Sequence, residues 1–217
     1  MTRTLIAGPD AARYAELLGA EDIPGVDLQV AVEPEDALER CVSAEVLFGP
    51  PDALLPLLPY CEKLNWVQSS WAGVKPLVEQ PRRDFLLTGV KDIFGPAMTE
   101  YVLAWLLALE RGVLERAAAQ AWDGRPERGL AGRRIGIMGT GSIGSAVARG
   151  CRALGLAVSG FSASGRALDD FDQCFAASQL EAFSSGLDYL VMLLPDTADS
   201  ADLVDAWVLD RLAPAQH

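Results

Sequence analysis

Residues Arg133 to Gly144 read RRIGIMGTGSIG, an apolar strand (Ile135, Gly136, Ile137, Met138) that runs into a glycine turn and opens a helix through Ile143, Ala146 and Val147. No other stretch narrows the possible folds so far. Gly139, Gly141 and Gly144 stand at G-x-G-x-x-G spacing. In a dinucleotide-binding βα unit the first glycine permits the tight turn, the second lets the backbone approach the pyrophosphate, and the third lets helix and strand pack closely. The first N–H groups of the helix and its positive dipole end then face the phosphates. The same spacing also fits an ordinary tight strand-to-helix connection. The apolar strand before it and the amphipathic helix after it favour nucleotide binding.

The rest of the chain repeats this alternation. Upstream, strands are expected at Thr4 to Ala7, Leu28 to Val32, Val46 to Gly49, Leu64 to Gln68 and Phe85 to Thr88, with helical patterns between them. Strands that alternate with helices argue for a parallel α/β sheet. After Gly95-Pro96 the run AMTEYVLAWLLALERGVLERAAAQAW carries the strongest helical signal, and its apolar middle predicts a buried helix with Tyr101 and Trp105 in a core. Asp123 to Gly129 reads as a loop. Downstream of the glycine turn the pattern predicts a helix over 142–154, a strand over 156–161, a polar loop to Asp172, a short helix over 178–183, a strand over 189–194 and a last helix over 201–212. In such a sheet the working edge carries the turn at Gly139, the loop after Phe161 and the loop after Leu194.

Composition removes several function classes. With 18 Lys plus Arg against 30 Asp plus Glu, the net charge of -12 disfavours nucleic acid as a partner. The longest apolar run, Tyr101 to Leu109, is too short to span a membrane, and TRTLIAGPD is too short for a secretory leader. Cys41, Cys61, Cys151 and Cys174 lie far apart without a CxxC pair, which fits free thiols in a cytoplasmic protein and no metal site. His217, the only histidine, is the final residue, so no imidazole is expected in a packed catalytic centre.

Two loops carry the remaining chemistry. NAD-preferring sites place an acid about 20 residues past the glycine motif to accept from the adenosine ribose. Here the stretch after the second strand is Phe161-Ser162-Ala163-Ser164-Gly165-Arg166, with no acid. Two hydroxyls and a guanidinium suit a 2′-phosphate, so NADP(H) is expected over NAD(H); an incidental polar loop is the alternative. The other loop, Gln68 to Val74, has small residues at Ala72 and Gly73 that leave backbone N–H groups free for a small carboxylate, or form an ordinary turn.

Taken in order, LNWVQSSWAGV, PAMTEYVLAWLLALERG, LAGRRIGIMGTGSIG and LVMLLPDTADSADLVDAWVLDRL resemble the D-isomer-specific 2-hydroxyacid dehydrogenases, and among them the glyoxylate/hydroxypyruvate reductases. The resemblance covers essentially the whole chain. It implies a flavodoxin-like substrate lobe over residues 1–94 and an incomplete, doubly wound Rossmann lobe over 95–217. With the glycine turn of Gly139, Gly141 and Gly144 as the cofactor-binding motif, it assigns Ser142 and Ile143 to the pyrophosphate, and Ser162, Ser164 and Arg166 to the adenosine end. Leu194, Pro195 and Ser200 fall beside the ribose and nicotinamide, and Ala72, Gly73 and Val74 on the carboxylate of a small 2-keto or 2-hydroxy acid. The catalytic arginine, glutamate and histidine of the family would fall beyond His217, so the resemblance implies a truncated form without turnover and with an open sheet edge that favours a homodimer or self-association. The alternative is a non-catalytic nucleotide-binding or interaction module of the same superfamily.

Overall fold

Apolar stretches punctuated by proline, glycine and acidic residues form the strands and helices of a computed structural model that describes residues 1–122, 124–126 and 128–213. Two units emerge, Met1–Lys91 and Asp92–His217. The first contains β1 (Thr2–Ala7), α1 (Ala11–Ala20), β2 (Val26–Ala31), α2 (Pro34–Cys41), β3 (Val46–Gly49), α3 (Pro51–Leu54) continuing as a 3-10 turn over Leu55–Tyr60, β4 (Trp66–Ser69), α4 (Lys75–Val78) and β5 (Leu86–Thr88). All neighbouring strands are parallel, in the order β2-β1-β3-β4-β5. That is the flavodoxin-like order. Proline stands in the first turn of α2, α3 and α4, where its missing N–H costs no helical bond.

Side-chain alternation divides this sheet between two environments. Leu5, Leu47 and Val67 lie in register on one face and are fully buried with Leu54, Leu57 and Leu77 from the following turns. Each such leucine contributes about 1.5–3 kcal/mol on burial. On the other face Tyr14 of α1 packs its ring on Phe48 with centroids 4.8 Å apart, while Trp66 and Leu86 remain exposed. Cys41 and Cys61 are buried beside Leu57, whose carbonyl accepts from both thiols; burial first, and the neighbouring Cys41 second, push the Cys61 thiol up to about 12. All four cysteines are free thiols.

The second unit contains α5 (Gly95–Glu110), α6 (Val113–Ala118), β6 (Arg134–Met138), α7 (Ser142–Ala153), β7 (Ala157–Phe161), β8 (Gln173–Phe175), a 3-10 turn at Ala177–Gln179, α8 (Leu180–Ser184), β9 (Tyr189–Met192) and α9 (Ala206–Leu209). Its four parallel strands are ordered β8-β7-β6-β9. Numbered within the unit this is 3-2-1-4, the first four strands of a Rossmann sheet. Ile135, Ile137 and Val158 pack under Val147, Ala148 and Cys151 of α7 and Val102 and Leu106 of α5 on one face. Met138, Phe161, Phe175, Phe183 and Leu187 fill the other. Helix α5 meets α7 closely at two glycines: a Cβ on Gly95 would lie 3.0 Å from the Ala146 Cβ, and one on Gly150 would lie 2.6 Å from the Thr99 Cγ2.

The buried stripe of α5 ends in a charge. Glu110, 6% exposed, accepts from the Tyr189 hydroxyl and from Arg128 Nε and Arg133 Nη2, both at 3.0 Å. Arg133 reaches on to Asp188 at 3.1 Å, and Asp188 accepts the Arg134 N–H at 2.8 Å. Burial alone would raise the Glu110 pKa, but the tyrosine hydroxyl and the two guanidiniums outweigh it and hold the carboxyl below its ordinary range. The network ties the end of α5 to the starts of β6 and β9.

Three expectations from the sequence need correction. The long helix breaks at Arg111–Gly112, where Gly112 takes φ +58 and ends α5. It is also buried on one stripe only: Tyr101, Trp105 and Leu109 are exposed, because the stripe one residue further on (Val102, Leu106, Glu110) faces the sheet. The helix expected over 201–212 shrinks to Ala206–Leu209, since Ser200 bonds back into its own loop and Asp205 caps a new start by accepting from the Val208 N–H at 3.0 Å.

Candidate functional site

The site is built on the carboxyl ends of β6, β7 and β9, which parallel pairing brings to one edge. Gly139 leaves β6 at φ +104, and its N–H donates to the Phe161 carbonyl at 2.8 Å, joining the first turn to the end of β7. A Cβ on Gly139 would stand 2.8 Å from the Leu193 carbonyl oxygen, so the loop after β9 closes against the same turn. Gly144, in the first turn of α7, approaches the turn so closely that a Cβ would fall 1.9 Å from the Gly139 carbonyl oxygen. These two glycines are demanded by the protein itself.

Gly141 differs. A Cβ there would meet nothing within 4 Å, so the fold does not require glycine at this position. Open space above the backbone is what a dinucleotide pyrophosphate needs. Among the described residues no acceptor pairs with the N–H groups of Gly141, Ser142 or Ile143, and α7 has neither a side-chain cap nor an acid in its first turn. Three unpaired donors at the positive end of a 12-residue helix fit a diphosphate.

The loop after β7 holds Ser162, Ser164 and Arg166 at the same edge. Ser162 Oγ accepts from the Gly165 N–H at 3.2 Å and Ser164 Oγ accepts from the Arg166 N–H at 3.3 Å. With their acceptor positions engaged by the backbone, both hydroxyls can offer their protons outward. Arg166 is exposed and no acid is found against it among the described residues. Beyond β9, Leu194 is half-buried and Pro195 exposed, and Ser200 ties their loop by donating to the Pro195 carbonyl and accepting from the Thr197 N–H at 3.0 Å. A cavity of about 570 Å³ between the first turns of α5 and α7 takes in Ser142, Ser145 and Arg149, but none of the residues after β7 or β9.

In the first unit, Ala72, Gly73 and Val74 follow β4. Buried Ser69 shapes the turn, donating to the Trp71 carbonyl and accepting from the Trp71 N–H, both at 3.0 Å. Among the described residues no acceptor pairs with the N–H groups of Ala72, Gly73 and Val74, and Ala72 and Gly73 are exposed. Sequence reasoning did not weigh Gly165, whose only signal is a glycine placed between the two polar residues Ser164 and Arg166. Of the other sequence-derived features, His217 and part of the loop from Asp123 lie outside the described residues. Among the described residues no cluster of three or more histidine, cysteine or acidic side chains could hold a metal, and no helix is long and apolar enough to cross a membrane.

Residues 103–217 match the family model described as D-isomer specific 2-hydroxyacid dehydrogenase, NAD binding domain. The chain belongs to this family. The D-isomer specific 2-hydroxyacid dehydrogenase family protein from Aeromonas salmonicida is 38% identical, with a TM-score of 0.85 over 90% of this chain and 64% of that one. A crystal structure of an NADPH-dependent glyoxylate/hydroxypyruvate reductase from Sinorhizobium meliloti, in complex with NADP and sulfate, is 25% identical, with a TM-score of 0.82 over 98% of this chain and 68% of that one. Glyoxylate/hydroxypyruvate reductase A of Serratia proteamaculans is 29% identical over 166 residues, 71% of this chain and 53% of the reductase. The chain thus spans about half the length of that curated relative. As a 2-hydroxyacid dehydrogenase family member it carries the family's parallel sheets and its glycine turn.

Proposed function

We propose that this chain is the substrate-binding and nucleotide-binding portion of an NADP(H)-preferring reductase of small 2-keto acids of the glyoxylate and hydroxypyruvate type. The observation that carries the reading is the Ser162–Arg166 turn beside the Gly139–Gly144 turn. It offers two hydroxyl donors and a guanidinium, and no carboxylate to accept from a ribose diol. When bound, the nicotinamide supplies hydride chemistry. The chain's own residues bind and orient: Gly141, Ser142 and Ile143 by their N–H groups, Ser162, Ser164 and Arg166 at the adenosine end, and Leu194, Pro195 and Ser200 along the ribose and nicotinamide. Ala72, Gly73 and Val74 hold the substrate carboxylate.

Residues 1–217 by themselves are proposed to bind nucleotide without turnover. Reduction of a keto acid leaves an alkoxide that must be protonated, and a positioned acid contributes about 10²- to 10⁴-fold. No described residue supplies an imidazole. Self-association is proposed through β9, which pairs only with β6 among the described strands and ends in exposed Met192. Titration calorimetry of the 217-residue chain tests the main reading. Arg166→Ala is expected to weaken NADPH by about tenfold or more, as for loss of a charge-assisted bond, while NADH changes little. Equal losses for both would remove the argument, as would steady NADPH oxidation with glyoxylate for the absence of turnover.

A further inference from the structure

We infer that Gly165 is a positioning residue for nucleotide choice: its left-handed backbone, pressed onto Ala176, is what gathers Ser162, Ser164 and Arg166 into one phosphate-reading turn. The inference rests on the NADP(H) reading above and adds the element that holds the reading groups in place.

Four observations carry it. Gly165 adopts φ +63, a region that side chains disfavour. A Cβ at this position would lie 2.5 Å from the Ala176 nitrogen and 2.8 Å from its Cα, and because both are backbone atoms no rotamer change relieves the clash. The turn is internally bonded on both sides of the glycine, Gly165 N–H to Ser162 Oγ at 3.2 Å and Arg166 N–H to Ser164 Oγ at 3.3 Å. Finally, both ends of the loop are fixed. Ser162 donates its N–H to the Phe175 carbonyl at 3.1 Å, and Ser164 bridges to Ala176. The far end is held by Arg149 on Asp170 at 3.0 Å and by Arg152 Nη1 on the Asp169 carbonyl at 2.7 Å. A turn held at both ends and pressed onto backbone at its centre cannot admit a side chain there. It must move outward, and the two serine-to-backbone bonds that direct the hydroxyls break.

The chemistry this turn would read is a phosphomonoester. A dianion takes hydrogen bonds and offers none, matching two hydroxyl donors beside a guanidinium. A free ribose diol gains much less from the same groups. Gly165 therefore acts through Ser162, Ser164 and Arg166, and its substitution should show in the choice between nucleotides.

The test titrates NADPH and NADH by calorimetry into wild type, Gly165→Ala, Ser164→Ala, Arg166→Ala and the Gly165→Ala/Arg166→Ala double variant. Gly165→Ala should weaken NADPH by about tenfold or more and NADH by less than about twofold, the size of losing a bond to a charged group. The double variant should lose less NADPH affinity than the sum of the two single losses, since both changes act on one unit. Equal loss of both nucleotides would reduce Gly165 to a purely structural role and overturn the inference; so would additive losses, or unchanged NADPH binding. If Gly165→Ala does not fold, Gly165→Asn, which tolerates the left-handed backbone but keeps the Cβ clash with Ala176, takes its place: selective loss of NADPH upholds the inference, and equal or absent loss refutes it. A wild type without preference for NADPH overturns both readings. A wild-type preference that survives in Gly165→Ala overturns this one alone.

Discussion

Glu110→Ala should destabilise the second unit. The carboxylate is 6% exposed and is the shared acceptor for Tyr189, Arg128 and Arg133. Removing one partner of a buried ion pair costs about 3–5 kcal/mol, because the remaining charges stay desolvated. Two features place Glu110 at the lower end. The Arg128 side chain is 41% exposed and can rehydrate, and Arg133 keeps Asp188 at 3.1 Å. The expected loss is therefore about 3 kcal/mol, or roughly 10 °C in midpoint for a unit of this size. Glu110→Gln keeps one acceptor and should lose about half as much. The sign with pH follows from the depressed carboxyl pKa. The wild-type advantage is fully present above the ordinary glutamate value of 4.5 and is lost as pH falls through the lower folded value. Wild type and Glu110→Gln should thus converge in acid. Thermal melts at neutral pH and in acid read both effects. A midpoint drop under about 3 °C for Glu110→Ala, or a gap between wild type and Glu110→Gln that widens in acid, would refute the account.

The two glycines of the turn should separate stability from binding. Gly141→Ala should leave the melting midpoint unchanged while weakening either nucleotide about tenfold, whereas Gly144→Ala should lower stability by about 1–3 kcal/mol, because its methyl meets backbone; melts paired with calorimetry distinguish them. Light scattering of the 217-residue chain should give a mass above the monomer's, and Met192→Lys, a charge at the end of the β9 edge, should return it toward the monomer.

Much of this architecture was legible because each signal was local. The glycine spacing located β6, the turn and α7, and short apolar runs alternating with helical patterns located the strands of the first unit to within two residues. What was not legible depended on partners distant in sequence. Tyr101, Trp105 and Leu109 form one apolar stripe on α5 and Val102 and Leu106 another, and nothing local says which of them meets the sheet. One clue was present: Glu110 continues the second stripe at i+4, and an acid on an otherwise apolar stripe fits a buried ion pair. Strand β8 escaped because Gln173–Phe175 is three residues long, too short to show alternation, and forms by pairing with β7. The open N–H donors of the turn were legible as a motif, but only the structure separates Gly141, with open space above it, from Gly139 and Gly144, which the fold itself needs.

The glycine contacts between α5 and α7 have a mechanical meaning. Helices separated by side chains can slide as rotamers adjust, but Gly95 against Ala146 and Gly150 against Thr99 leave no such play. The pair behaves as one beam, with the open donors of α7 and the start of α5 at the same end. The open end of α7 can therefore shift only together with the start of α5, so a side chain forced between them at Gly150 should be felt at the donors of Gly141, Ser142 and Ile143.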